Sequence, residues 1–139
     1  KTFTLATYPE VPDVLAELRA SGVTVAVCSN WDWDLDRALA QCDLDGLVDL
    51  AVTSARAGAR KPHSRIYRHT LDLCQVSPDQ AVFVGDSWGP DVEGPLSAGL
   101  RPVHVWRDGD PAFSATPPAL VDGVRRIADL RGLVPLTRA

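Results

Sequence analysis

Apolar and polar residues follow one another along the chain in blocks that fit strands and helices in turn. Short apolar runs predict four strands, at Val23–Val27, Leu47–Ser54, Ala81–Asp86 and Pro102–Trp106. Apolar residues at helical spacing, with proline and glycine near the ends, predict five helices: Val11–Gly22, Asp34–Gln41, Ser64–Val76, one from Gly89 to near Gly99, and Gly123–Leu133. This alternation predicts a single three-layer α/β domain over residues 1–139, built on a mostly parallel sheet.

Composition and charge exclude several classes of protein. The net charge of −4 offers no basic surface for nucleic acid. No apolar run approaches the roughly 18 residues needed to cross a membrane, and the first residues lack the apolar core of a secretory signal. The three cysteines, Cys28, Cys42 and Cys74, are widely spaced and form no CxxC pair, which disfavours a zinc site or a disulfide framework. Free thiols indicate a reducing compartment, and we expect a cytoplasmic location.

Polar side chains follow three of the predicted strands. Ser29 and Asn30 come directly after the first strand, and Lys61 comes after the second across a short loop. Asp86 ends the third strand, and Asp91 follows five residues later. Ligands of parallel α/β sheets bind beyond the carboxyl ends of the strands. We therefore expect these side chains to share one edge of the sheet and to hold an anionic substrate with a metal ion.

Each of these residue types has a chemical use at such an edge. A divalent cation relieves the repulsion between two nearby carboxylates, and oxygen-only ligands suit Mg²⁺. Ser29 and the backbone N–H groups after it could hold phosphate oxygens, and Lys61 could bridge an anionic substrate and a carboxylate. Gly85 is expected to allow a tight turn beneath the ligand. Taken singly, each side chain is more commonly a helix cap or a surface charge, so the prediction depends on their order along one edge.

Three segments together resemble the haloacid dehalogenase superfamily, in its phosphatase-type branch with a helical cap. They are SGVTVAVCSNWD, RKPHSRIY and VFVGDSWGPDVEGPLSAGL, and the resemblance extends over Tyr8–Trp106. It implies a Rossmann-like core and Mg²⁺-dependent hydrolysis of a small phosphorylated substrate through an aspartyl-phosphate. It assigns contacts with the phosphoryl group to Ser29 and Asn30, charge stabilisation to Lys61, and direct magnesium binding to Asp86. Asp91 would either support the metal through water or hold Lys61 and the Ser87 loop in place.

The chain departs from the family pattern at its beginning. The nucleophilic aspartate of the family lies in a D-x-D-x-T/V motif after an N-terminal strand, and neither this motif nor the cap is present. The aspartates of WDWDLD follow the wrong strand, and we interpret them as first-turn helix acids rather than as a displaced nucleophile.

The missing strand would leave a gap in the sheet, between the strand of Val23 and the strand of Ala81. Either Thr2–Thr7 fills this gap, or the chain is a piece of a longer protein, which we favour. An exposed gap would also favour pairing of two copies as a homodimer.

Other functional classes fit the residue pattern less well. A non-catalytic module could keep the phosphate and metal pocket without a nucleophile. Dehalogenation is less favoured, because Asp91 supplies the second metal-type acid of the phosphatase branch. A receiver domain would place its Lys-Pro pair last, whereas here Lys61 precedes Asp86. A dinucleotide-binding domain would need G-x-G-x-x-G where this chain has CSNWDW.

Several remaining residues carry weaker expectations. Trp31 and Trp88 follow the site loops and could shape a pocket, although packing is the commoner role of tryptophan. His104 lies in the middle of a strand, and we expect a structural role for it. Arg125 and Arg126 are expected on the solvated face of the last helix.

Overall fold

The computed structural model describes residues 6–31 and 34–137. The helices are α1 (Val11–Ala20), α2 (Leu35–Gln41), α3 (Ser54–Ala57), α4 (Ser64–Cys74), α5 (Gly94–Ser97) and α6 (Leu133–Thr137). The strands are β1 (Ala26–Ser29), β2 (Leu50–Thr53), β3 (Val82–Gly85), β4 (Arg101–Val105) and β5 (Arg125–Ile127). A π-helical turn, Trp88–Glu93, leads into α5. Among the described residues, no helix is both long and apolar enough to cross a bilayer.

The strands form two parallel groups. β1 pairs with β2, and β4 pairs with β3 on one side and β5 on the other. Over residues 6–31 and 34–137, no ladder of hydrogen bonds joins β1 to β3. This is where the sequence predicts a gap. The candidate filler Thr2–Thr7 lies outside the described residues except for Ala6 and Thr7, so its role stays a prediction.

A cavity of about 660 Å³ occupies the space between β1 and β3. Residues 22–28 line one side and residues 80–86 the other, while α1 and α4 contribute side chains to its walls. Every residue of β1 and β3 is only partly buried, whereas four of the five residues of β4 are buried. Inner strands of parallel sheets are normally buried on both faces. Within the described residues, β1 and β3 thus face the gap only partly buried, although their sequences are apolar enough for the middle of a sheet.

Helices cover both faces of the strands. Val14 and Leu18 of α1 form one core cluster with Leu133 of α6, and Val82 and Val84 of β3 pack against it. A second cluster contains Ile66, Tyr67 and Leu71 of α4, and Phe83 packs against it. Alternate residues of β3 thus point to opposite layers, as the pleat requires. The predicted three-layer α/β architecture is confirmed.

The last predicted helix, Gly123–Leu133, is wrong. The chain forms β5 there, followed by a 3₁₀ turn at Leu130–Gly132 and then by α6. β5 pairs in parallel with β4, with Arg125 opposite Val103 and Ile127 opposite Val105. A helix at this point would have left the outer edge of β4 without backbone partners, and a three-residue strand satisfies that edge.

A buried ion pair ties the start of α1 to the loop after β4. Arg107 Nη2 lies 2.7 Å from Glu10 Oε2, and the two side chains are only 12% and 9% exposed. The Leu130 amide also donates to Glu10, and the guanidinium of Arg107 lies over the Tyr8 ring. The hydrogen bonds from Arg107 hold the pKa of Glu10 below its ordinary value of 4.5. These contacts connect three segments that are distant in the sequence.

We predict that Glu10→Gln lowers the free energy of unfolding by about 3 kcal/mol near pH 7, because it leaves a buried guanidinium without its counter-charge. Since the pKa of Glu10 is lower in the folded protein, the ionised carboxylate stabilises the fold fully above pH 4.5. That contribution is lost as the pH falls through the lower folded pKa, so the difference between wild type and variant should shrink in acid.

Urea unfolding at a series of pH values measures this difference. Arg131→Met is the matched control, because the Arg131 side chain of the Arg131–Asp129 ion pair is exposed. This substitution should lower the free energy of unfolding by less than about 1 kcal/mol. If both substitutions lowered the free energy of unfolding equally, burial of the Glu10–Arg107 pair would not make it more important for stability than an exposed pair.

Candidate active site

The predicted site residues lie at the carboxyl ends of β1 and β3 and in the loop between α3 and α4. Ser29 is the last residue of β1, and Asn30 follows it. Asp86 follows the last residue of β3 and is exposed, whereas Asp91 lies in the π-helical turn and is buried. Contacts among three of these residues, Asn30, Lys61 and Asp91, define the centre of the site.

Lys61 and Asp91 form a buried ion pair. Lys61 Nζ lies 2.6 Å from Asp91 Oδ1, and the two side chains are 11% and 8% exposed. The other carboxylate oxygen of Asp91 accepts a hydrogen bond from the Ser87 amide at 3.0 Å. The ammonium also lies 5.3 Å from the centre of the Phe83 ring. Of the two roles considered for Asp91, this geometry favours the one in which it holds Lys61 and the Ser87 loop.

Asn30 binds the backbone of Lys61 with both ends of its amide. The Lys61 N–H donates to Asn30 Oδ1 at 2.7 Å, and Asn30 Nδ2 donates to the Lys61 carbonyl at 3.1 Å. The residue after β1 therefore sets the position of the lysine that approaches from the α3–α4 loop. This clamp cannot be read from the sequence, because Asn30 and Lys61 are 31 residues apart.

Gly85 is needed for a reason other than the expected tight turn. The structure gives it no positive φ. A Cβ atom built at this position would lie 2.2 Å from Asp91 Oδ2 and 2.3 Å from Asp91 Cγ. The absence of a side chain at the end of β3 thus leaves the space that the buried carboxylate occupies.

Tyr67 supports the π-helical turn from below. It is fully buried in α4, and its hydroxyl donates to the carbonyl of Pro90, next to Asp91. Its ring meets Phe83 edge-on, with the centroids 5.4 Å apart. Burial raises the pKa of the phenol, so it stays protonated and remains a donor. The carbonyl that Tyr67 binds could not be foreseen from the sequence, because Tyr67 and Pro90 are 23 residues apart.

His104 is a second buried polar residue beneath the site. It is fully buried in β4, and its Nε2 lies 3.0 Å from the backbone carbonyl of Asp86. Arg126, expected on a solvated helix face, instead donates from Nε to His104 Nδ1 at 3.0 Å. The only feature of the sequence that indicated a buried polar contact here was the position of His104 in the middle of an otherwise apolar strand.

The gap between the strand groups opens at this site. Its lining includes Cys28, Gly85 and Asp86 at the carboxyl ends of β1 and β3, together with Tyr8 and Arg107. Burial raises the pKa of the Cys28 thiol, so it stays protonated. Any segment that paired with both strands in a parallel direction would end beside Asp86.

Several other residues lie at the margin of the site. Trp31 is 41% exposed and Trp88 packs edge-on against His104. His63 caps the start of α4 by accepting a hydrogen bond from the amide of the residue two positions later. Asp34 and Asp36 are exposed where α2 begins, as expected for first-turn acids, and Asp32 lies outside the described residues.

The donor set fits a magnesium ion better than a transition metal. Within the part of the chain that the structure describes, no three His, Cys, Asp or Glu side chains cluster closely enough to form a metal cage. Asp86 offers an exposed carboxylate, while Asp91 is engaged by Lys61. Mg²⁺ usually keeps several waters and needs only one or two protein carboxylates, whereas zinc sites use three or four protein ligands.

Known proteins resemble this chain in sequence and in fold. A family profile described as "haloacid dehalogenase-like hydrolase" matches residues 3–99. A phosphoserine phosphatase from Thermus thermophilus is 36% identical over 125 residues, which cover 89% of this chain and 48% of that protein. An (S)-2-haloacid dehalogenase from Burkholderia cepacia is 32% identical over 109 residues, covering 77% of this chain and 46% of that enzyme.

A solved structure agrees with these sequence matches. The crystal structure of a HAD phosphatase from Thermococcus onnurineus superposes with a TM-score of 0.82 at 27% identity, and covers 95% of this chain and 58% of that one. The chain thus spans about half the length of the curated relatives it matches.

Gly85→Ala should lower the free energy of unfolding by at least about 2 kcal/mol, because the new methyl group overlaps the Asp91 carboxylate. Gly89→Ala in the same loop is the matched control, since no atom lies within 4 Å of a Cβ there. It should leave stability unchanged or raise it by up to about 1 kcal/mol. Thermal and urea unfolding of both variants give the comparison. Similar stabilities for the two variants would mean that Asp91 can move away at little cost.

Proposed function

Since this chain belongs to the haloacid dehalogenase-like hydrolase family, we propose that it supplies the phosphate-binding and magnesium-binding part of an active site that hydrolyses phosphate esters of a small molecule. The observation that carries the proposal is the buried Lys61–Asp91 pair near the carboxyl ends of β1 and β3, where Asp86 follows β3 with an exposed side chain. Phosphoryl transfer depends mainly on positioning and on neutralising charge, and this arrangement supports both.

Each residue has a defined part in the proposed reaction. Ser29 and the backbone N–H groups that follow it hold phosphoryl oxygens, and the Lys61 ammonium stabilises negative charge on the phosphoryl group and the nucleophile. Asp91 keeps that ammonium in place through their buried ion pair. Asp86 is the residue that would hold Mg²⁺, which when bound neutralises charge on the phosphoryl oxygens.

The proposal places the nucleophile on a strand that pairs with β1 and β3 in the gap. Such a strand would satisfy the facing edges of β1 and β3, which have no strand partner there within the described residues, and its carboxyl end would lie beside Cys28 and Asp86, which line the same cavity. The carboxylate would attack phosphorus and release the ester oxygen, and water would then hydrolyse the aspartyl-phosphate to regenerate the carboxylate. Thr2–Thr7 contains no acidic residue, so if that segment fills the gap the chain is a binding module without turnover.

A second candidate is hydrolysis of a 2-haloacid. It is favoured by the 32% identity to the (S)-2-haloacid dehalogenase from Burkholderia cepacia. The phosphatase remains our first choice, because the similarity to the phosphoserine phosphatase extends over more of the chain.

The test is hydrolysis of an aryl phosphate, and release of chloride from 2-chloropropionate, each with and without Mg²⁺. Two proteins are compared: the 139-residue chain and the longest polypeptide of its reading frame that contains it. We predict Mg²⁺-dependent phosphate release wherever a carboxylate-bearing strand occupies the gap, and a loss of at least about 100-fold in Asp86→Asn. Asp13→Asn, at an exposed acid in α1, is the control and should retain full activity.

The outcomes separate the candidates. Halide release without phosphate release would replace the proposed phosphatase by a dehalogenase. Folded protein that binds Mg²⁺ and phosphate but turns over neither substrate would identify a binding module. Activity that survives in Asp86→Asn would contradict the assignment of this residue.

A further inference from the structure

We propose that His104 and Arg126 are positioning residues that hold Asp86 in the orientation needed to bind Mg²⁺. The inference rests on the proposed function, in which Asp86 is the metal-binding carboxylate. It goes beyond that proposal because it assigns a supporting role to one residue of β4 and one of β5, neither of which has a proposed contact with the metal or the substrate.

The hydrogen bonds of His104 determine which ring nitrogen carries the proton. Arg126 Nε is always protonated and donates to His104 Nδ1, so Nδ1 must be the acceptor. His104 Nε2 then carries the hydrogen and donates it to the carbonyl of Asp86 at 3.0 Å. The bond from Arg126 therefore fixes the tautomer and orientation of the His104 ring, and the ring in turn holds the backbone carbonyl of Asp86.

His104 contacts the site loop at a second point. Its ring meets that of Trp88 edge-on, with the centroids 5.1 Å apart. It therefore supports the residues on both sides of Ser87, whose amide is held in turn by Asp91. A polar ring that is fully buried in a strand is stable only with its hydrogen bonds made, and both of its nitrogens are used here.

Arg126 is itself held in place. Its Nη2 donates to the carbonyl of Pro118, and its guanidinium lies 5.9 Å from the centre of the Trp88 ring. Pro118 belongs to the long loop before β5, so Arg126 connects the position of Asp86 to the path of that loop. The neighbouring Arg125 is on the same strand but exposed, which provides a matched control.

The carboxylate of Asp86 depends on this backbone support. The side chain is exposed, and its contact with Ser87 Oγ is long, at 3.4 Å. Its direction is therefore set mainly by the main chain, and the Asp86 carbonyl is the group that His104 binds. A shift of this carbonyl would turn the carboxylate away from the place where the ion is bound.

The experiment compares four variants in the longest polypeptide that contains the chain. His104→Leu removes both hydrogen bonds, and His104→Gln keeps a donor near the place of Nε2. Arg126→Met removes the guanidinium but leaves the histidine, so the test does not depend on one core substitution, and Arg125→Met is the control. The readouts are the Kd for Mg²⁺ by titration calorimetry, amide hydrogen exchange, and the tautomer of His104 from ¹⁵N NMR.

We expect His104→Leu and Arg126→Met to raise the Kd for Mg²⁺ by about 10–100-fold, as loss of a supporting partner does at other metal sites. Amide exchange should accelerate in residues 86–91 but not in α4. His104→Gln should recover most of the affinity, Arg125→Met should match wild type, and the wild-type ring should carry its hydrogen on Nε2.

The inference is overturned if both variants keep wild-type loop exchange, or if exchange rises equally throughout the chain. Absence of Mg²⁺ binding in wild type would refute the proposed metal role of Asp86. In that case the exchange pattern alone decides whether the histidine and the arginine hold the loop.

Discussion

The buried ion pair between Lys61 and Asp91 is the contact that joins the two groups of strands at the open end of the gap. β1 and β3 share no backbone ladder in residues 6–31 and 34–137, so side chains must connect them there. Asn30 fixes Lys61 to the end of β1, and the Ser87 amide fixes Asp91 to the end of β3. Removing either charge would leave the other buried without its partner, which is strongly destabilising.

Several features of the site follow from accommodating this pair. The last residue of β3 has to be glycine because the Asp91 carboxylate occupies the place of a side chain. The turn that carries Asp91 is supported from below by the hydroxyl of Tyr67. The exposed Asp86 lies between this rigid cluster and the ring of His104, which binds its carbonyl. The exposed carboxylate of Asp86 thus extends from backbone that neighbouring side chains support.

The relatives of this chain include enzymes named for two different reactions. A phosphatase and a dehalogenase both match most of this chain, although the chain spans less than half of each. The family match over residues 3–99 includes the sheet edge with the buried Lys61–Asp91 pair and the exposed Asp86. In this chain Asp91 is paired with Lys61, whereas the side chain of Asp86 is exposed.

The sequence by itself determined the layers and the edge where the site lies. Apolar runs and helical spacing are local signals, and Ser29, Lys61 and Asp86 follow strands whose ends must coincide in a parallel sheet. The tertiary structure decided which partners these residues take. Asn30 clamps a backbone 31 residues away, and β5 replaces a predicted helix because β4 offers an open edge. Such contacts depend on register and loop closure, which act between segments far apart in the chain, whereas periodicity reports only on neighbours.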